Sequence, residues 1–280
     1  MTPRLQRLRF CIALILTACG LFGSPARAMT LRPVTMTCPY DGTKFEFQQQ
    51  MSGTSFDRSF DFMAFGPIQS PWPLAVCPTN GFVFYKDDLT PEEIEKLRPF
   101  ILSADYQALK EETSHYRAAR IMERAGEPQK KISTMLLLAT WEATTEAARA
   151  AYQEWTAAQV ADAKGEKPAL TSQEMMRLFR NASSERYRRY ADELLPRLKT
   201  DMQVAGSDQE RTNLRWLTGE LLRRLGRFGE AKDHFETFAA DIGPDHKFTK
   251  LVALQLQLVA ANDRTIHMMS ETKDQTSPRR

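Results

Sequence analysis

Hydrophobic spacing changes character three times along the chain. Residues 10–22 (FCIALILTACGLF) form an unbroken apolar run. Residues 34–47 and 74–85 then alternate with a period near two, in short stretches such as Lys44-Phe45-Glu46-Phe47 and Phe82-Val83-Phe84-Tyr85. That alternation predicts strands with one face covered. From Thr90 onward apolar residues return at helical spacing, with start and stop signals between them. The expected fold class is therefore α+β and mostly α: a small β head over residues 30–88 and a helical body over 89–262. Residues 263–280 are polar, which predicts a flexible tail.

The helix signals are local and specific. Thr90-Pro91-Glu92-Glu93 combines an N-cap, a proline at the first helical position and a capping-box glutamate. Thr171 with Glu174 and Ser207 with Glu210 repeat the box. Gly126 should end one helix near Ala125, and a long helix should follow from about 128 to 163. Pro196 should bend or end another. Over residues 212–244, Gly219, Leu225-Gly226, Phe228, Ala231 and Phe235 fall near the positions where the paired helices of a tetratricopeptide repeat touch. Gly219 and Ala231 are then the small residues of a close helix crossing. One repeat cannot bury its own face, so it must stack on neighbours. Trp141 and Trp155 lie about four turns apart on the long helix and can share its buried face.

The apolar run near the start has a second meaning. Arg4, Arg7 and Arg9 precede it, no acid interrupts it, and Ala26-Arg27-Ala28 follows Pro25. This is the order of a secretory signal peptide over residues 1–28, cleaved after Ala28. The run is shorter than the ~20 residues of a spanning helix. An alternative is a lipobox, Leu16-Thr17-Ala18-Cys19, which would place a lipid anchor on Cys19. Both readings export the folded part, to a periplasm, with no transmembrane segment. Composition changes the picture once the leader is set aside. Removing its four arginines from 38 basic residues leaves 34 against 35 acidic ones. A near-neutral chain lacks the electrostatic footprint of a nucleic-acid binder. The run Arg186-Tyr187-Arg188-Arg189-Tyr190 and the pair Arg223-Arg224 read as solvated helix faces.

Two cysteines remain after release at Ala28, and their surroundings match. Cys38-Pro39-Tyr40-Asp41-Gly42 and Cys77-Pro78-Thr79-Asn80-Gly81 are both C-P-x-[D/N]-G. In a zinc-ribbon knuckle, C-P-x-C-G aims two thiolates at the metal and the glycine lets the backbone turn. Here Asp41 and Asn80 stand at the second ligand positions. Both still suit a turn. Between the knuckles, Phe56, Phe60, Phe62, Phe65 and Trp72 should pin a long loop, while Asp57 and Asp61 cap its turns. An aromatic ligand surface, or a cation site of these carboxylates with Asp41, is the alternative.

The paired knuckles, the stretch from Asp57 to Phe62 and the segment Trp216 to Gly226 resemble a bacterial family of unknown function. Its usual members carry two complete Cys-Pro-x-Cys-Gly knuckles followed by tetratricopeptide-like helices. The resemblance covers most of residues 34–262. It implies a zinc-ribbon-like head and a helical body, and no reaction. This chain departs from the pattern at Asp41 and Asn80, which puts the zinc in doubt. An exported chain meets an oxidising compartment, and equivalent knuckle positions bring the two cysteines together. A Cys38–Cys77 disulfide closes a loop of about 40 residues, worth roughly 4 kcal/mol in the chain-entropy model. A metal site of two thiolates and Asp41, two free thiols, or a redox pair are the alternatives.

No G-x-S-x-G, P-loop or H-E-x-x-H is present, and His115, His234, His246 and His267 are scattered. The expectation is a non-enzymatic interaction or scaffold protein of the cell envelope. Its helical body would bind an unidentified protein or peptide, with no cofactor. A metal- or redox-responsive head and a hydrolase whose groups meet only in the fold are the competing classes.

Overall fold

A computed structural model describes residues 29–66, 69–164, 171–244 and 246–274. The leader with Cys19 and Ala28, and residues 275–280 of the tail, lie outside the described residues. The chain is α+β and mostly helical.

Strands β1 (Met29–Thr37) and β2 (Lys44–Gly53) form an antiparallel ribbon, with Thr37 opposite Lys44 and Met36 opposite Phe45. The strands run further than the alternating residues imply. Only Val34, Met36, Phe45 and Phe47 near the turn, with Met29 and Gln50, are partly covered; the rest of the ribbon is exposed. Two strands alone are marginal in water, so the ribbon depends on its inner end, where Cys38 and Phe45 join the core.

The second hairpin is reduced to one bridge, Val76 to Val83, with Phe84 N–H donating to Ala75 O at 3.0 Å. Helices cover this segment and take over its backbone groups. Leu74 N–H donates to Ser114 Oγ at 2.9 Å, Gln107 Nε2 to Asn80 O at 2.8 Å and the Tyr106 hydroxyl to Gly81 O at 2.8 Å. Partners of this kind satisfy buried backbone without a ladder.

The helical body opens with α1 (Pro91–Ile101), where Thr90 and Glu93 close a capping box. Pro99 sits in the last turn of α1, and Ser103 caps the single turn α2 (Ala104–Gln107). A break over 108–113 separates α2 from α3 (Ser114–Ala125), which Gly126 ends at φ 79°. The long helix α4 (Gln129–Ala163) packs on α3 and on α6. Helix α5 (Ser172–Arg180) has the Thr171–Glu174 box. Helix α6 (Glu185–Gln203) starts at Ser184 and runs through Pro196. In α7 (Asp208–Arg224) Ser207 caps Glu210 N–H, while the Glu210 carboxylate turns to Gly206 N–H at 3.0 Å. Helices α8 (Phe228–Ile242) and α9 (Thr249–Ala260) follow, then the short α10 (Glu271–Asp274).

Helices α7 and α8 form a hairpin with Gly219 at the crossing. A Cβ there would lie 2.4 Å from the Phe235 ring, and Ala231 is fully buried. Trp216, Phe235, Phe238 and Phe248 fill the space beside it. Trp141 is half-buried, and the side chain of Trp155 lies outside the described residues.

The boundary near residue 88 marks a change of secondary structure and not of packing. Cys38, Cys77, Phe82 and Val83 share one core with Leu97, Ile101, Tyr106, Ala118 and Ile121 of the helices. The inter-knuckle segment also enters the body. A small antiparallel pair, β3 (Asp57–Arg58) with β4 (Ala64–Phe65), holds out a loop in which Phe62 has φ 71°. Phe60 at its tip is fully buried against Trp216, whose indole N–H donates to Phe60 O. Residues 263–274 do not fray. Ile266 and Met268 are buried, Met268 bridges to Ser59, and Met269 N–H donates to Arg58 O at 2.8 Å.

Candidate functional site

The two knuckles are superimposable bond by bond. Cys38 N–H donates to Thr43 O, Gly42 N–H to Cys38 O, and Thr43 N–H to Asp41 Oδ1. Cys77 N–H donates to Phe82 O, Gly81 N–H to Cys77 O, and Phe82 N–H to Asn80 Oδ1. Gly42 and Gly81 have φ 71° and 75°, the left-handed conformation that glycine adopts without penalty. Asp41 and Asn80 thus cap the same turn through the same oxygen.

The turns bring Cys38 and Cys77 together as a disulfide, with Cα atoms 5.4 Å apart. Both cysteines are 1% exposed. Thr79 lies against them, its Oγ1 3.0 Å from the Cys77 sulfur and 3.6 Å from that of Cys38. Hydrogen bonds from the Thr79 hydroxyl and the Thr43 backbone hold the exposed Asp41 carboxyl below its usual range. One ligand atom each from Cys38, Asp41 and Cys77 lies within a 4.8 Å group. This donor set does not fit a tetrahedral zinc. The joined sulfurs offer no thiolate, and the Asn80 oxygen is taken by Phe82 N–H.

A second assembly lies where the first turn of α3 meets α4. Glu142 accepts from the Ser114 hydroxyl at 2.9 Å, from His115 N–H at 3.0 Å and meets His115 Nδ1 at 2.7 Å. All three residues are buried. Burial pushes the Glu142 carboxyl up, but bonding and charge from His115 and the Ser114 hydroxyl outweigh it and leave the pKa lowered. The members are those of a hydrolytic triad; the geometry is not. A triad sets the serine and the carboxylate on opposite imidazole nitrogens. Here both approach Nδ1, with Ser114 Oγ at 3.5 Å. The carboxylate instead caps a helix start and, through Ser114, steadies Leu74 on the way into the second knuckle. Glu142 gave no signal in the sequence, because a glutamate within a 35-residue helix looks solvated.

The two basic stretches fare differently: the arginines of the first stay on the exposed side, as expected, and those of the second do not. Tyr187 and Tyr190 are fully buried, while Arg186, Arg188 and Arg189 pair with Glu146, Glu185 and Glu112. Arg223 and Arg224 are not a solvated face: both are buried. Arg223 pairs with Glu220 at 2.8 Å and Arg224 with Asp61 at 2.9 Å. Asp61 therefore neutralises a core arginine and is not a cation ligand, and Asp57 accepts from the Ser270 hydroxyl. As expected, both also cap their own turns, Asp61 through Ser59 and Asp57 through Arg58 N–H, but the Arg224 and Ser270 partners lie more than 150 residues away, beyond any periodicity.

Along α6, α7 and α8 two adjoining cavities, of about 320 and 400 Å³, share His234. Leu195, Pro196 and Leu222 give an apolar floor at one end. Lys199, Arg211, Arg215 and Arg227 stand on the walls with Glu230 and Asp233, and the three arginines pair with Asp208, Asp241 and Glu230. His234 Nε2 donates to Arg215 O at 2.7 Å; burial lowers the pKa of the ring, against that bond. Pro196 contributes here by removing an N–H from α6, which leaves the Asp192 carbonyl without its helical partner.

Fold and site together define a class: a mostly helical protein whose paired knuckles are closed by a disulfide and docked on the helices. In comparison with known proteins, no family model, no curated protein and no solved structure matches the chain. No helix among the described residues is long and apolar enough to cross a membrane.

Proposed function

We propose that the protein is an exported, non-enzymatic interaction protein of the cell envelope. In this reading it is a degenerate relative of the knuckle-and-repeat family described above, and the trough along α6–α8 holds an acidic peptide segment of a protein partner. The observation that carries the reading is the trough itself: apolar at one end, with four cationic side chains on its walls, and built from three successive helices. Stacked helices form such surfaces in repeat proteins. The order of charge and apolarity in residues 1–28 supports export to the periplasm, and a disulfide suits that compartment.

The test is site-specific crosslinking in cells. A photoreactive residue at Thr237, on the trough wall, should capture a protein, and one at Met51, on the exposed ribbon, should not. Lys199→Glu with Arg211→Glu should abolish the capture. Equal capture at both positions, or capture indifferent to the charge reversal, would refute the reading.

A metal- or redox-responsive head is the second reading, supported by the grouping of Cys38, Asp41 and Cys77. Reduced protein that takes up stoichiometric zinc and changes its crosslinking at Thr237 would establish it.

A further inference from the structure

A cavity of about 250 Å³ sits where α5 ends, α6 begins and α7 ends, and no knuckle residue lines it. Arg180, Arg188, Arg224 and Arg264 line it, with Asn181 and Ser183. No carboxylate is among the lining residues. Three of the guanidinium groups have one acidic partner each outside the cavity: Glu271 for Arg180, Glu185 for Arg188 and Asp61 for Arg224. Arg264 has no ion-pair partner among the described residues, so the site carries an excess of positive charge.

Arg224 is the informative member. Its side chain is 2% exposed, it stacks 4.2 Å above the Tyr187 ring, and Asp61 takes one of its nitrogens. Its Nε is buried without a hydrogen-bond partner among the described residues. A buried donor left unmade is costly, and burying a guanidinium is costly even when it is paired. Like charges gathered around one small space add to that cost. An oxyanion placed among them would relieve both. The start of the 19-residue helix α6, capped at Ser184, borders the same space and adds the positive end of its dipole. The volume lies below the range of drug-sized pockets, which restricts the occupant to a small group.

We propose that this cavity binds a phosphate group, either as free phosphate or as a phosphate ester such as a lipid headgroup. Arginine forks suit phosphate oxygens better than single ammonium groups do. The site is separate from the α6–α8 trough, and neither proposal depends on the other.

The experiment uses the purified protein at low ionic strength. Calorimetric titration with inorganic phosphate and with glycerol phosphate is followed by flotation with phosphatidylglycerol or phosphatidylcholine vesicles. Phosphate or its ester should bind and raise the melting temperature. Arg188→Gln with Arg264→Gln, both at exposed positions, should leave the unliganded melting temperature unchanged and weaken binding at least about tenfold. Binding of inorganic phosphate assigns the free anion. Flotation confined to phosphatidylglycerol vesicles, and lost in the double variant, assigns the headgroup. Arg224→Lys serves as a second variant, since it keeps the charge facing Asp61 and removes the fork. The proposal fails if neither phosphate nor its ester binds and no vesicle is retained. It also fails if affinity survives the double variant, or if acetate binds as well as phosphate.

Discussion

The two knuckles share a backbone and differ in everything around it. The Cys38 knuckle stands at the tip of a ribbon, with Asp41 exposed and nothing within 4 Å of a Cβ built on Gly42. The Cys77 knuckle is enclosed. Asn80 is 7% exposed, and a Cβ on Gly81 would lie 2.2 Å from Arg117 Nη2, which donates to Gly81 O. Tyr106 and Gln107 grip the second knuckle as well. The first knuckle has its own turn and one helix bond, from the Tyr40 hydroxyl to Ile94 O at 2.9 Å, whereas the second is gripped by the helical body through Tyr106, Gln107 and Arg117. The disulfide ties the less supported knuckle to the better supported one.

The largest test removes that tie. Reduction, or Cys38→Ala, should cost about 4 kcal/mol in the chain-entropy model. The loss of protection against hydrogen exchange should fall mainly on residues 29–53. A chelator should leave the melting temperature unchanged. Equal loosening of residues 74–85 would show that the helices do not hold the second knuckle independently.

Gly81→Ala against Gly42→Ala is next. Each substitution places a side chain in the left-handed region, at about 1 kcal/mol. Only Gly81→Ala also displaces Arg117 from its carbonyl, which brings its cost to about 3 kcal/mol. Urea midpoints that agree for the two variants would erase the distinction between the knuckles.

The capping residues should follow the same order at smaller scale. Asn80→Asp keeps the oxygen that accepts Phe82 N–H but buries a charge, at a cost of about 2 kcal/mol at neutral pH. Asp41→Asn at the exposed turn should leave the urea midpoint indistinguishable from wild type.

The smallest effect is a pH dependence. The folded Glu142 carboxyl titrates below its ordinary value of 4.5. Its stabilising contribution is complete above that value and is lost as pH falls through the folded pKa. Because Glu142 supports Leu74 through Ser114, acid should loosen residues 74–85 before the ribbon. Glu142→Gln should flatten this acid limb in urea midpoints followed from neutral to acid pH.

How much of this was legible in the chain depends on the range of each interaction. Helix starts at Thr90, Thr171 and Ser207 and the stop at Gly126 were readable because a cap involves residues within four positions of one another. Both knuckle turns were readable for the same reason. The break at 108–113 was not, because Ala108-Leu109-Lys110-Glu111-Glu112 are good helix formers, and Pro196 lies inside α6 and does not end it. The reduction of the second hairpin to one bridge was hidden too, because Tyr106, Gln107 and Ser114 lie outside its own segment.

The buried charges show the limit most sharply. Along the chain Arg224 read as a solvated face, Asp61 as a turn cap and residues 263–274 as part of a polar tail, and Glu142 gave no signal. Local sequence determined the turns, the caps and the alternation of this protein, because those depend on backbone preference over a few residues. Which polar groups are buried, and against what, was decided only in the tertiary structure. The cost of burying a charge is set by partners that the chain places there from far away, as Asp61 meets Arg224 across 163 positions.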